Sequence, residues 1–73
     1  MKDVEMKYVS SSNIQAIGYD EEEQTLVVKF AGGSIYHYFN VPENIYIDMM
    51  CTTSFGGFLN DNIKNVYQFE KVA

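Results

Sequence analysis

At 73 residues the chain is long enough for one domain, which at this size buries about 60% of the surface that its unfolded form exposes. Ten Asp and Glu against five Lys and Arg leave a net charge of −5, which repels nucleic acids and anionic membranes unless basic residues cluster locally. The hydrophobic share of 47%, with six Tyr and five Phe, supplies a packed core but not a large internal ligand cavity.

The single cysteine and the first residues indicate a cytoplasmic protein. Cys51 alone forms no intramolecular disulfide, and secreted domains of this size normally need such crosslinks. Residues 1–8 interleave charged and apolar side chains, which is not the pattern of a signal peptide, and no later run has transmembrane length. We therefore expect a cytoplasmic domain with no membrane partner.

The first two strands are predicted from alternation. Residues 4–9 alternate between apolar and charged side chains, so residues 1–10 are expected to form an N-terminal strand or a flexible segment. The next run, 13–19, places Ile14 and Ala16 on one face and Ile17 on the other.

The acidic run that follows, 20–24, is expected to be a solvated connection, because four adjacent carboxylates repel one another and lose hydration when buried.

Two alternating runs around a pair of glycines predict a β-hairpin. Residues 25–31 and 34–39 are rich in β-branched and aromatic side chains, and Gly32-Gly33 separates them. Paired glycines tolerate the positive φ angles that a two-residue hairpin turn requires.

Two short helices and a last strand complete the prediction. The first helix is expected over 42–52, with Pro42 at its first helical position, and Ser54 is expected to cap a second helix. Residues 66–72 alternate again as a final strand. The whole chain, 1–73, is thus predicted to be one α+β domain: a small antiparallel sheet of three to five strands packed against two short helices, in the order β-β-β-β-α-α-β.

The parity of the glycine hairpin decides which aromatic rings meet solvent. A two-residue loop pairs Val28 with His37 and places Tyr36 and Tyr38 on the sheet face away from the helices, beside Lys29. A loop of odd length with a bulge sends both tyrosines toward the core instead. We favour the two-residue loop, because double glycine is the strongest short hairpin signal in the chain.

The residue types that carry catalysis or bind metals are sparse. His37 is predicted to be a packed neutral histidine and Cys51 a buried thiol, and no motif joins the two. One His and one Cys do not complete a usual zinc site, and adjacent glutamates lack the spacing of a calcium loop. The sequence therefore predicts no enzyme, no catalytic residues, no metal and no cofactor.

Three segments, taken in their order along the chain, resemble the KTSC domain. They are 11–20, 26–42, which contains Tyr36-His37-Tyr38, and 54–63, which ends in Asn60-Asp61-Asn62-Ile63. That family is named for the C-terminus of some lysyl-tRNA synthetases and also occurs as small free-standing bacterial and phage proteins. The resemblance implies a binding module, with RNA as the usual suggestion.

Around the second helix, relatives in that family often carry basic residues at positions where this chain does not. It carries Phe55, Gly57 and Asp61 there and retains only Lys64. The loss of positive charge weakens the expectation of RNA binding.

We therefore predict a binding module whose contact surface comprises Tyr36, Tyr38 and Lys29, with Asn60 and Lys64 at its edge. A protein partner or self-association is favoured, and RNA is an alternative weakened by the negative charge. The second hypothesis is a self-associating structural or accessory protein of bacterial or phage origin.

Overall fold

The chain forms one antiparallel sheet with two helices inserted before its last strand, in a computed structural model that describes residues 4–73. The strands are β1 (Lys7–Tyr8), β2 (Ile14–Asp20), β3 (Thr25–Phe30), β4 (Ile35–Tyr38) and β5 (Phe69–Lys71). The helices are α1 (Glu43–Cys51) and α2 (Phe55–Asn62). Each strand pairs with its neighbours in the order β1-β2-β3-β4-β5, so the predicted α+β fold and element order are confirmed.

The N-terminal strand is shorter than the alternation suggests. β1 spans Lys7–Tyr8, within the strand predicted over 4–9, and the amide of Val9 also donates to the carbonyl of Gln15 in β2. The part of the prediction for 1–10 that concerns residues 1–3 lies outside the described residues.

A β-bulge in β2 changes which of its side chains reach the core. The register between β2 and β3 shifts between Ile14 and Ala16, so two residues of β2 fit where a regular ladder has one. Ile14 and Ile17 both lie on the face that packs against the helices and are fully buried, whereas Ala16, also buried, pairs with Lys29 on the other face. The predicted grouping of Ile14 with Ala16 is therefore wrong, because the extra residue reverses the alternation.

The hairpin between β3 and β4 has a three-residue loop, 31–33. The amide of Phe30 donates to the carbonyl of Ser34 at 2.8 Å, and the amide of Gly33 donates back to the carbonyl of Phe30 at 2.9 Å. Gly33 has a φ of 98°, as the last loop residue of a bulged three-residue hairpin requires. The two-residue loop that the sequence favours is therefore wrong, and the odd-length alternative is the one found.

Both helices begin at residues that the sequence marks. Pro42 is extended, with φ −64° and ψ 151°, so it caps α1 rather than occupying its first turn as predicted. The predicted cap of α2 is confirmed, since the Ser54 hydroxyl accepts a hydrogen bond from the amide of Gly57 at 3.2 Å.

The apolar core lies between the helices and one face of the sheet. Its buried members are Ile14, Ile17, Leu26, Val28, Tyr38, Val41, Met49, Leu59 and Ile63. On the other face the N-terminal segment packs directly on β2, because a Cβ built on Gly18 would lie only 2.7 Å from the Sδ atom of Met6. Helices therefore cover one side of the sheet and the segment before β1 covers part of the other.

The acidic connection between β2 and β3 is not wholly solvated. Asp20 is only 4% exposed, and its Oδ1 atom accepts hydrogen bonds from the amides of Glu22 and Glu23. These bonds close the turn and let Thr25 start β3, since an aspartate that bonds the backbone two residues on mimics a backbone turn. The prediction holds for the exposed residues 21–24 and is wrong for Asp20.

Candidate functional site

An open cleft of about 700 Å³ lies between β4, β5 and α2. Its aromatic lining residues are Phe30, Tyr36, Tyr38 and Phe69. Its polar side chains include those of Asn13, Asn60, Lys64 and Asn65. We call this region the aromatic cleft.

The four rings of the aromatic cleft contact one another. Tyr36 and Tyr38 lie 6.2 Å apart between ring centroids and are inclined by only 19°, so their faces are nearly parallel. Phe30 meets Tyr36 edge-on at 5.4 Å. Phe69 packs 5.7 Å from Tyr36 and 5.9 Å from Tyr38. Contacts at these separations are favourable for aromatic rings and fix the orientation of the cleft wall.

Strand register explains why these rings meet. Val28 pairs with Tyr36 and Leu26 pairs with Tyr38, so both tyrosines point to the side that carries the core. Tyr38 also pairs with Phe69, which joins the last strand to the cluster. The predicted placement of both tyrosines on the face away from the helices is therefore wrong, because the three-residue loop reverses the parity of β4.

Four of the five predicted binding residues nevertheless lie together. Tyr36, Tyr38, Asn60 and Lys64 all line the aromatic cleft. Lys29 does not, because it pairs with Ile35 on the opposite face of the sheet. Helix α2 brings Asn60 to the cleft, and the turn after the helix brings Lys64.

The electrostatics of the aromatic cleft differ from those of the whole chain. Among the described residues that line it, Lys64 is the charged side chain, and none is a carboxylate. Burial raises the pKa of Tyr38, and the neighbouring Tyr36 raises it further. The Tyr38 phenol is therefore neutral at physiological pH, and the one formal charge offered to a ligand is positive.

Several cleft residues were not predicted from the sequence. Phe69 is 54% exposed and presents the most accessible ring of the wall. Asn65 has a positive φ of 69°, a conformation that asparagine tolerates after a helix, and this turns the chain back toward β5. A Cβ on Gly56 would lie 3.4 Å from the Nδ2 atom of Asn13, so α2 approaches Asn13 closely. Glycine after a helix cap was the available sequence signal for that approach.

The chain's histidine and cysteine lie apart from the aromatic cleft. His37 pairs with Val27 and Glu70 on the opposite face of the sheet, so its predicted pairing with Val28 is wrong. Cys51 is exposed at the end of α1, so the predicted burial of its thiol is wrong. Within residues 4–73 no three His, Cys, Asp or Glu side chains are grouped to hold a metal ion.

The fold and the cleft define a small α+β domain that presents an aromatic, half-buried groove beside a helix. The family model for the KTSC domain matches residues 10–67, and the chain belongs to that family. The crystal structure of a KTSC domain protein from Yersinia pestis superposes with a TM-score of 0.91 at 33% identity, covering 97% of this chain and 100% of that one.

Relatives in sequence include free-standing proteins and part of a larger enzyme. A protein of Tsukamurella paurometabola is 42% identical over 59 residues, covering 81% of this chain and 88% of its own. A lysine–tRNA ligase of Nostoc punctiforme is 36% identical over 62 residues, which cover 85% of this chain but only 11% of the ligase. Across residues 4–73 there is no helix with the length and apolar character needed to span a membrane.

Proposed function

We propose that this KTSC domain is a non-enzymatic binding module that holds unpaired bases of single-stranded RNA in its aromatic cleft. The observation that carries the proposal is the half-buried ring of Tyr36, which lies nearly parallel to the buried ring of Tyr38 and beside the exposed ring of Phe69. Stacking on aromatic side chains contributes about 1–3 kcal/mol per base in single-stranded complexes. Unpaired bases are suited to such a site because both of their faces are free to stack.

The polar rim of the aromatic cleft complements the same ligand. Asn13, Asn60 and Asn65 offer amide donors and acceptors of the kind that bond base edges. Lys64 supplies a cation for a phosphate, with no carboxylate of the cleft opposing it. The net charge of −5 therefore lowers overall affinity for RNA without placing negative charge in the cleft itself.

The relatives support RNA over a protein ligand. Lysine–tRNA ligases carry this domain as about a tenth of their length, and their name places them with an RNA substrate. We extend that association to this chain. We also propose that the protein acts in the cytoplasm, where a domain with a single cysteine needs no disulfide.

The test is binding of fluorescently labelled single-stranded RNA at low ionic strength, measured by anisotropy. Tyr36→Leu keeps an apolar side chain in the wall but removes the stacking face, so we expect affinity to fall about tenfold. His37→Leu makes the neighbouring change on the opposite face of the sheet and is expected to leave affinity unchanged. Absence of binding by the unaltered protein at low salt, where phosphate contacts are strongest, overturns the proposal.

Self-association through β5 is the second candidate function, as a structural or accessory protein of bacterial or phage origin. β5 is an edge strand, and Val66, Phe69 and Val72 near it are 62%, 54% and 43% exposed. Edge strands with exposed apolar side chains pair readily with other strands. Multi-angle light scattering decides this case: a mass of one chain at every concentration contradicts it, and a dimer that Lys71→Pro dissociates supports it, because the Lys71 amide faces the open edge of β5.

A further inference from the structure

A second pocket, of about 340 Å³, lies at the opposite end of β3 from the glycine hairpin. The acidic turn, the start of α1 and the N-terminal segment enclose it. Its lining includes Glu5, Tyr19, Asp20, Glu21, Glu43 and Tyr46, and we call it the acidic pocket. It shares no lining residue with the aromatic cleft.

Asp20 gives the acidic pocket an unsatisfied buried acceptor. Its side chain is 96% buried, and although Oδ1 bonds two backbone amides, Oδ2 has no hydrogen-bond partner among the described residues. A buried polar atom without a partner is destabilising, and more so when it is charged. Because Asp20 is also a lining residue of the acidic pocket, a donor bound there is placed to satisfy this oxygen.

The other lining groups favour a positively charged donor. Glu5, Glu21, Glu22 and Glu43 bring four more carboxylates to the same pocket, and no Lys or Arg of residues 4–73 lines it. Burial raises the pKa of Tyr19, and the charges of Glu43 and Glu21 raise it further, as expected where negative potential accumulates. A cation in the pocket relieves this repulsion.

Aromatic rings in the same lining indicate which kind of cation fits. The rings of Tyr19 and Tyr46 are 4.9 Å apart and inclined by 9°, and the Tyr19 hydroxyl is held by the carbonyl of Val41. Aromatic faces attract alkylammonium and guanidinium groups. A metal ion instead requires several converging oxygen ligands, and no described group of His, Cys, Asp or Glu has that arrangement.

We propose that the acidic pocket binds an alkylammonium group, the group that ends a lysine side chain and a polyamine. The ammonium donates to the unsatisfied carboxylate oxygen of Asp20, while Glu21 and Glu43 neutralise its charge and Tyr46 packs against its methylene groups. The site is independent of RNA binding in the aromatic cleft.

Titration of isotope-labelled protein with spermidine, followed by amide NMR shifts, tests the proposal. We expect saturable shifts in residues 19–23 and 43–46. Glu43→Gln should weaken binding about threefold through the lost charge, and Tyr46→Leu by a similar factor through the lost ring. Glu70→Gln removes the same unit of charge outside the pocket and should leave the affinity unchanged.

The source of the ammonium group is separated by two further titrations. Titration with Nα-acetyl-lysine methylamide measures the affinity for a lysine side chain, and titration with spermidine measures the affinity for a polyamine. The amine that binds more tightly identifies the class of ligand. Shifts that saturate with calcium chloride but not with either amine overturn the proposal, as do amine affinities that Glu70→Gln lowers as much as Glu43→Gln does.

Discussion

Tyr36 lies directly opposite Val28 across the β3–β4 hairpin, and this pairing turns the β4 tyrosines toward the core and the aromatic cleft. With one loop residue fewer, Val28 would face His37 instead, and the histidine would take the place of the tyrosine. The length of the loop 31–33 therefore decides which β4 side chains form the candidate site, although no side chain of the loop itself has a proposed binding role.

That loop should respond differently to alanine at its two glycines. Gly33→Ala should lower the free energy of unfolding by about 1–2 kcal/mol, because an L residue is strained at a φ of 98°. Gly32→Ala should change it by less than about 0.5 kcal/mol, since Gly32 has no positive φ. A Cβ at either position meets nothing within 4 Å, so urea denaturation of both variants isolates backbone strain. Equal losses would contradict the hairpin geometry.

Substitutions of the two lysines predicted as binding residues should differ in their effect on RNA affinity and on its salt dependence. Lys64→Gln should weaken binding and reduce the dependence of log K on log salt concentration by about 0.7, the value for one lost phosphate contact on a single strand. Lys29→Gln makes the same charge change on the opposite sheet face. It should lower RNA affinity less, because it removes no contact in the aromatic cleft. Anisotropy at several salt concentrations measures both. Identical salt slopes for the two variants would remove Lys64 from the site.

Alkaline pH should destabilise the fold through Tyr38. Burial raises its pKa above the ordinary 10.0, so the folded chain holds the phenolic proton more tightly than the unfolded chain does. The stability this gives is fully present below pH 10.0 and is lost as pH rises through the raised folded pKa. Tyr38→Phe should therefore lose less stability between neutral and strongly alkaline pH. Tyr8→Phe, at a ring that is 75% exposed, is the control and should follow the unaltered protein.

Gly18 should not tolerate a side chain. In Gly18→Ala the new Cβ would lie 2.7 Å from both Met6 Sδ and Val4 Cγ1 and 3.0 Å from the carbonyl oxygen of Glu5. We expect a loss of about 1–3 kcal/mol, with faster amide exchange at the start of the chain, because the N-terminal segment must move away from the sheet. Hydrogen exchange followed by NMR measures this. Unchanged protection of the Val9 amide, which donates to the carbonyl of Gln15, would show that the segment packs elsewhere.

The composition and alternation of the sequence were sufficient for the elements and their order. Strand runs, the Ser54 cap and the entry to α1 depend on interactions within a few residues, which a sequence displays directly. The resemblance to the KTSC domain also depended on such local segments. Four of the five candidate binding residues, including Asn60 and Lys64, line one cleft, although not on the face predicted for the tyrosines.

Only the tertiary structure decided which faces those residues occupy. The bulge between Ile14 and Ala16 and the three-residue hairpin loop each insert one residue, and a single insertion reverses every later side chain of a strand. Local preference does not settle such a choice. The burial of the whole strand against the helices decides the register. Tyr38, for example, is buried in the core that also contains Met49 and Leu59.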